Sequence, residues 1–281
     1  MMHDTAQAKI WFITGASRGF GRTWAEAALE RGDRVAVTAR NVADVADFQA
    51  RYGDAALPLA LDVTDAQQVE HAVSEAHANF GKLDIVLNNA GYSLVGAVEE
   101  LSLADVHAQF ETNVFGTLRV IKAALPFFRK QRSGHLLGVS SGVGVVAMPL
   151  IGAYCASKWA FEGLHESLAA EVRSFGIKVT LLEPGAYATE FGSPSSLRIT
   201  PALDAYAALR EQIFERLSTM ERGDPKATAE AILQIVDMEN PPLRFFVGST
   251  GLPMARAAYD ARLATWEQFQ DLSNAAQGSA T

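Results

Sequence analysis

Seven short apolar runs, separated by longer amphipathic stretches, limit what this chain can fold into more than any other feature. They are KIWFIT (9–14), RVAVTA (34–39), ALPLAL (56–61), DIVLNN (84–89), HLLGVS (135–140), IKVTLLE (177–183) and RFFVGS (244–249). Most are continuously apolar rather than alternating, as strands covered on both faces must be. The helical patterns between them have readable ends. Gly32 and Gly176 stand where C-terminal caps belong, and Thr64 or Asp65 can cap the stretch that follows. Strands alternating with helices at this rhythm specify βαβ units, hence an α/β fold with a doubly wound, mainly parallel sheet of seven strands flanked by helices.

No linker interrupts residues 9–250, so the 281 residues are read as a single domain spanning 1–281. Two segments break the rhythm. An insertion at about 190–243 would overhang the carboxyl ends of the strands as a lid, and residues 251–281 form a mainly helical C-terminal extension. Hydrophobic residues at 49% against 20% charged suffice for a sizeable core. A net charge of −8 without a dense Lys/Arg run excludes nucleic acid as the main partner. No apolar stretch reaches the ~18 residues that cross a bilayer, so no membrane partner is expected. The N-terminus lacks a signal-peptide pattern, and a single cysteine, Cys155, excludes an intramolecular disulfide; together these indicate a cytoplasmic protein. HESLA (165–169) begins like H-E-x-x-H but has Ala169 in place of the second histidine, so no metal site is expected.

TGASRGFG (14–21) directly follows the first strand and opens a helix. Gly15, Gly19 and Gly21 permit a tight turn and close backbone approach, and the helix N-terminus behind them attracts pyrophosphate. The second strand ends in Ala39 and Arg40, with no acid to take a ribose 2′-hydroxyl. Arg40, with Arg18 from the glycine turn, suits a 2′-phosphate, so NADP(H) is expected over NAD(H).

In YCASK (154–158), Tyr154 and Lys158 are four apart on a helix and so share a face. A cation beside a phenol favours its ionised form, which makes an acid/base of a group otherwise too weak near neutral pH. With LDVTD (61–65), NNAG (88–91), Asn113 in ETNVFG, Ser141 thirteen residues before Tyr154, and EPG (183–185) with Thr189, the chain resembles the short-chain dehydrogenase/reductase family over roughly residues 9–250.

That resemblance implies a Rossmann-type dinucleotide-binding and catalytic domain. It implies that Tyr154 exchanges a proton with the substrate oxygen, Lys158 holds the nicotinamide ribose, Ser141 hydrogen-bonds the reacting oxygen and Asn113 holds a relay water. Gly15, Ser17, Arg18, Gly19, Phe20 and Gly21 would receive the pyrophosphate. Asp62 and Val63 would meet the adenine, Asn88, Asn89, Ala90 and Gly91 would line the cleft, and Pro184, Gly185 and Thr189 would hold the nicotinamide end. Donors from Tyr154 and Ser141 placed where charge develops on a carbonyl oxygen form a coherent reduction site.

Tyr92, Met148, Tyr187 and Phe191, with Leu94, Val143, Val145 and Leu150, are expected near the open strand edge. Such a lining suits a medium-sized apolar ketone, aldehyde or secondary alcohol. The family implies a homodimer, or a tetramer, with the stripe Ala160, Leu164, Leu168, Val172 and Phe175 available for the interface. Two rival readings exist: an NADP(H)-binding regulator without turnover, and a serine hydrolase with Ser140 in GVSSG (138–142) as nucleophile.

Overall fold

The protein is described here by a computed structural model that covers residues 8–193 and 196–278. Nine strands occur: β1 (Ile10–Ile13), β2 (Arg34–Ala39), β3 (Ala56–Ala60), β4 (Ile85–Asn88), β5 (Ser93–Val95), β6 (Gly134–Val139), β7 (Ile177–Pro184), β8 (Leu197–Ile199) and β9 (Arg244–Val247). Among the described residues ten α-helices accompany them: α1 (Gly19–Arg31), α2 (Ala46–Tyr52), α3 (Ala66–Phe80), α4 (Leu103–Phe110), α5 (Thr117–Gln131), α6 (Gly152–Val172), α7 (Ala207–Ser218), α8 (Ala229–Asp237), α9 (Gly251–Gln268) and α10 (Gln270–Gln277).

The seven apolar runs form one parallel sheet in the order β3-β2-β1-β4-β6-β7-β9. The order reverses between β1 and β4, the place where sheets of this kind open a crevice at their carboxyl ends. The strand period of two divides each run between two cores. Ile10 and Phe12 of β1 pack with Val69 and Val73 of α3 and Val120, Ile121 and Phe128 of α5. Trp11 and Ile13 face the opposite way, against Trp24 and Ala28 of α1 and Ile232 and Ile235 of α8. Both buried tryptophans find partners for their N–H groups, Trp11 at Asp33 (2.8 Å) and Trp24 at Thr228 (2.7 Å).

The helix ends follow the sequence signals. Gly32, at φ 98°, closes α1, Gly176, at φ 73°, follows α6, and Asp65 rather than Thr64 caps α3 by accepting from Gln67 and Gln68. Helices α4 and α5 are joined by a single π-helical turn, Glu111–Gly116. A residue inserted into a helix in this way marks functional sites more often than chance. β5 and β8 form a separate two-stranded parallel sheet that the sequence pattern does not reveal. Through it the segment 190–243 is fastened over the strand ends near β5.

Candidate active site

The glycine turn is braced from the side. Asn89 Nδ2 donates to the carbonyls of Thr14 (3.0 Å) and Gly15 (2.9 Å), while the amides of Asn89 and Ala90 both donate to Thr14 Oγ1. A Cβ on Gly21 would lie 2.5 Å from both Gly15 O and Asn89 Nδ2, so only glycine fits. Gly15 and Gly19, at φ 68° and 56°, need the left-handed region that glycine enters freely. Ser17, Arg18 and Phe20 share this turn. Phe20, however, turns away to stack on Trp24, its ring centroid 4.8 Å distant.

The turn accepts an anion. Gly19 N–H, at the head of α1, donates to the Glu190 carboxylate at 3.1 Å, which makes that side chain a stand-in for a negatively charged group. The residues present therefore fit a dinucleotide pyrophosphate. Arg40 lies exposed at the end of β2. Arg18 reaches Ser196 of the insertion, 3.0 Å from Nη2. Asp62 is engaged locally, accepting from Thr64 N (2.9 Å) and Oγ1 (2.7 Å), and Val63 is buried against the position of Gly116.

The proton-handling residues meet where α6 crosses the end of β6. Close crossing requires Gly138, whose Cβ would come within 2.7 Å of Phe161 and His165. Lys158 is buried, its Nζ donating to Val139 O at 2.8 Å and lying 5.8 Å from the Tyr154 ring centroid. Burial pulls its ammonium down to about 8, and the charge of Glu162 works against that. Burial also raises the Tyr154 phenol above its ordinary value, whereas the hydrogen bond with Ser141 favours the ionised form. Ser141 Oγ also accepts from Val143 N at 3.3 Å.

Asn113, on the π turn, is fully buried. Its side chain clasps the Tyr92 backbone in both directions, accepting from N (3.1 Å) and donating to O (3.0 Å). It also donates to Ser157 Oγ (3.1 Å), which donates in turn to the carbonyl of Tyr154 (2.8 Å). Ser157, a connector inside YCASK, was not singled out by the sequence reading. Its small hydroxyl between the two named residues is the only signal it left. A Cβ on Gly91 would lie 3.1 Å from Asn113 Oδ1 and 3.8 Å from Lys158 Nζ, so NNAG ends directly against both. Asn88 is buried at the end of β4.

Val143, Met148 and Ile151 pack with Tyr154 and Cys155 in one apolar cluster, and the Phe191 ring stands 5.7 Å from Tyr154. Tyr187 lies elsewhere. Its ring meets Phe20 edge-on at 5.2 Å and fills the space beside Gly223 and Gly248. Arg198 lies over the Tyr92 ring at 4.6 Å. Of the residues expected at the nicotinamide end, Gly185 N donates to Val247 O (3.2 Å), and Thr189 Oγ1 accepts from Phe191 N (3.3 Å).

The C-terminal extension supplies a wall that the sequence did not announce. Met254 of α9 lies where a Cβ on Gly142 would fall, at 2.8 Å, and the Arg262 guanidinium donates to Val145 O at 3.2 Å. Arg262 is itself sandwiched between the rings of Trp159 and Tyr259, at 5.0 and 5.1 Å. Trp159 Nε1 donates to Val143 O at 2.9 Å. The loop that carries Ser141 is thus held from both sides.

Ser140 does not sit on a strand–turn–helix elbow. It is buried beside Glu162; only a single 3-10 turn, Gly142–Gly144, follows, and the next α-helix begins at Gly152. Among the described residues no cluster of three or more His, Cys, Asp or Glu could hold a metal ion, and no helix is long and apolar enough to cross a membrane.

The family described as short chain dehydrogenase matches residues 9–198 of the chain. Oxidoreductase BOA17 of Botryotinia fuckeliana is 42% identical over 94% of this chain and 98% of its own. A solved short-chain dehydrogenase from Streptomyces avermitilis superposes with a TM-score of 0.90 at 37% identity, covering 96% of this chain and 99% of that one. An alcohol dehydrogenase from Thermococcus sibiricus, solved in complex with 5-hydroxy-NADP, superposes with a TM-score of 0.71 at 27% identity, over 87% and 98% of the two chains.

Proposed function

Because the chain belongs to the short-chain dehydrogenase/reductase family and is accordingly an NAD(P)-dependent oxidoreductase, we propose that it interconverts a medium-sized apolar ketone or aldehyde and its alcohol with NADP(H) as cofactor. The observation that carries this reading is the convergence of Tyr154, Lys158 and Ser141 at the β6 end, beside the braced glycine turn and an apolar wall of Val143, Met148, Ile151 and Phe191. The bound nicotinamide supplies the hydride equivalent. Gly15, Ser17, Gly19 and Gly21 would receive its pyrophosphate, Asp62 and Val63 its adenine, and Pro184, Gly185 and Thr189 its nicotinamide end. Arg40, exposed where an acid would otherwise bind the ribose, supports preference for the 2′-phosphate form.

In reduction, Tyr154 gives its phenolic proton to the substrate oxygen while Ser141 donates to the same atom. The two donors are fixed before charge develops there, so little reorganisation is needed. Lys158 keeps a positive charge behind the phenol, and Asn113, through Ser157, holds the backbone of Tyr154 in register. A positioned general acid is worth about 10² to 10⁴ in rate. Tyr154→Phe is expected to lower turnover by at least about 10² with NADPH affinity nearly unchanged, measured as NADPH oxidation over a panel of apolar carbonyls. Wild-type turnover by that variant would overturn the assignment. Arg40→Ala should weaken NADPH far more than NADH; equal losses would remove the cofactor preference.

The groove between α5 and α6, lined by Leu118, Ile121, Leu125, Leu164 and Leu168, supports a homodimer of a cytoplasmic enzyme through these helices. Leu164→Asp should yield a monomer in light scattering.

A further inference from the structure

Behind Tyr154 and Lys158 lies a second ionic group that the proposed chemistry leaves unused. Glu162 stands one helical turn beyond Lys158 on α6, and Glu183 sits near the end of β7, one residue before Pro184; both are buried. Arg244, opening β9, joins them: its Nη1 contacts Glu162 Oε2 and lies 3.1 Å from Glu183 Oε1, and its Nη2 donates to Glu166 at 2.7 Å. Glu162 also abuts the loop of Ser141, since a Cβ on Gly144 would fall 3.0 Å from Glu162 Oε1 and 2.6 Å from Ser140 Oγ. One arginine on the edge strand therefore ties together α6, the loop after β6 and the end of β7.

Two carboxyls at this depth cannot both be ionised cheaply. Burial and the Glu162 charge push Glu183 up to about 7. Burial raises Glu162 as well, but Ser140, Arg244 and Lys158 each favour its charged form. Arg244, Ser140 and Lys158 thus hold Glu162 toward its charged form, while burial and that charge make Glu183 the readier of the two to keep a proton. The groups that face Lys158 are Tyr154 and Glu162 on its own helix, His165 (kept neutral by burial, which lowers it to about 4), Asn113 from the π turn, and the Arg244–Glu183 pair behind Glu162.

We propose that Glu162, anchored by Arg244, is a positioning residue for Lys158, keeping the ammonium charged beneath Tyr154 and so setting the upper pH bound of turnover. The proposal rests on the reading of Tyr154 and Lys158 given above, but it can fail separately. The test is a pH titration of the full chain labelled with ¹³C at lysine Cε, with the Lys158 resonance identified by its loss in Lys158→Arg. In Glu162→Gln the Lys158 midpoint should fall by at least about half a unit, a threefold change in its ionisation constant. Glu162→Asp, which withdraws the carboxylate by one methylene, should shift it in the same direction by less. It serves in place of Glu162→Gln should that variant not fold. Glu166→Gln, which loses a contact to Arg244 but keeps Glu162, should leave the midpoint where it was.

The alkaline limb of kcat/KM should move down with the resonance. An unmoved midpoint in a folded Glu162 variant overturns the proposal, as does an equal shift in Glu166→Gln, which would reveal a general structural effect. A shifted midpoint with an unmoved kinetic limb overturns the claim that Glu162 sets the upper pH bound of turnover, leaving only its charge coupling to Lys158.

Discussion

Tyr154 is placed where burial alone would make its phenol a poorer proton exchanger, so its usefulness depends on the groups around it. The sequence shows the proposed trio because Tyr154, Lys158 and Ser141 lie close in the chain and their spacing matches one helix face and one preceding loop. It does not show the supports. Glu162, Glu183 and Arg244 span 82 positions and meet only because β7 and β9 are neighbours. Arg18 adds a contact that spacing does not show: besides its place in the glycine turn, its guanidinium reaches Ser196, 178 positions away. Glu190 yields a prediction at the same scale. Its carboxylate occupies the Gly19 amide, an interaction worth about 0.3–1 kcal/mol at a helix N-terminus. Glu190→Gln should therefore tighten NADPH binding about two- to five-fold, read by fluorescence titration. Weaker binding would show that Glu190 assists the cofactor rather than competing with its phosphates.

Among the elements, the seven strands of the main sheet were legible because each is a near-continuous apolar run that only burial on both faces explains. β5 and β8 were not, since three residues carry no period and their pairing joins positions about a hundred apart. The π turn at Asn113 was not legible either, because nothing in the residue types of ETNVFG separates one wide turn from an ordinary α-helical one. Helix α9 was anticipated as a helix but not as a brace. Arg262 and Trp159 hold the carbonyls of Val145 and Val143, on the loop that aims the Ser141 hydroxyl. Arg262→Ala should lower kcat roughly ten- to a hundred-fold, the scale of a ~1 Å misplacement, with little loss of thermal stability. Arg262→Lys, lacking the planar fork and stacking face, should restore only part. Unchanged kcat in Arg262→Ala would relegate α9 to packing.

Across the whole molecule, two buried histidines make stability sensitive to acid. Burial lowers His135 from 6.5 to about 3 and His165 to about 4; His135 lies in β6, 3.0 Å from Thr180 of β7, and His165 lies on α6 against Gly138. Their folded values lie below the unfolded one, so their contribution is complete above about pH 6.5 and is lost as pH falls through 4 toward 3. Between about pH 6 and 4 the unfolded chain takes up as many as two more protons, a slope of ~2.7 kcal/mol per pH unit. Urea midpoints should fall steeply over that interval, and His135→Gln with His165→Gln should flatten the decline. An unaltered slope would place the acid sensitivity elsewhere. The late-arriving contacts to α6 and to the Ser141 loop also carry a consequence for biosynthesis. Arg244, Met254 and Arg262 leave the ribosome about a hundred residues after the groups they steady. A nascent chain that already displays Ser141, Tyr154 and Lys158 is thus still unfinished as a catalyst, and competence arrives only with the last two elements to be translated before α10.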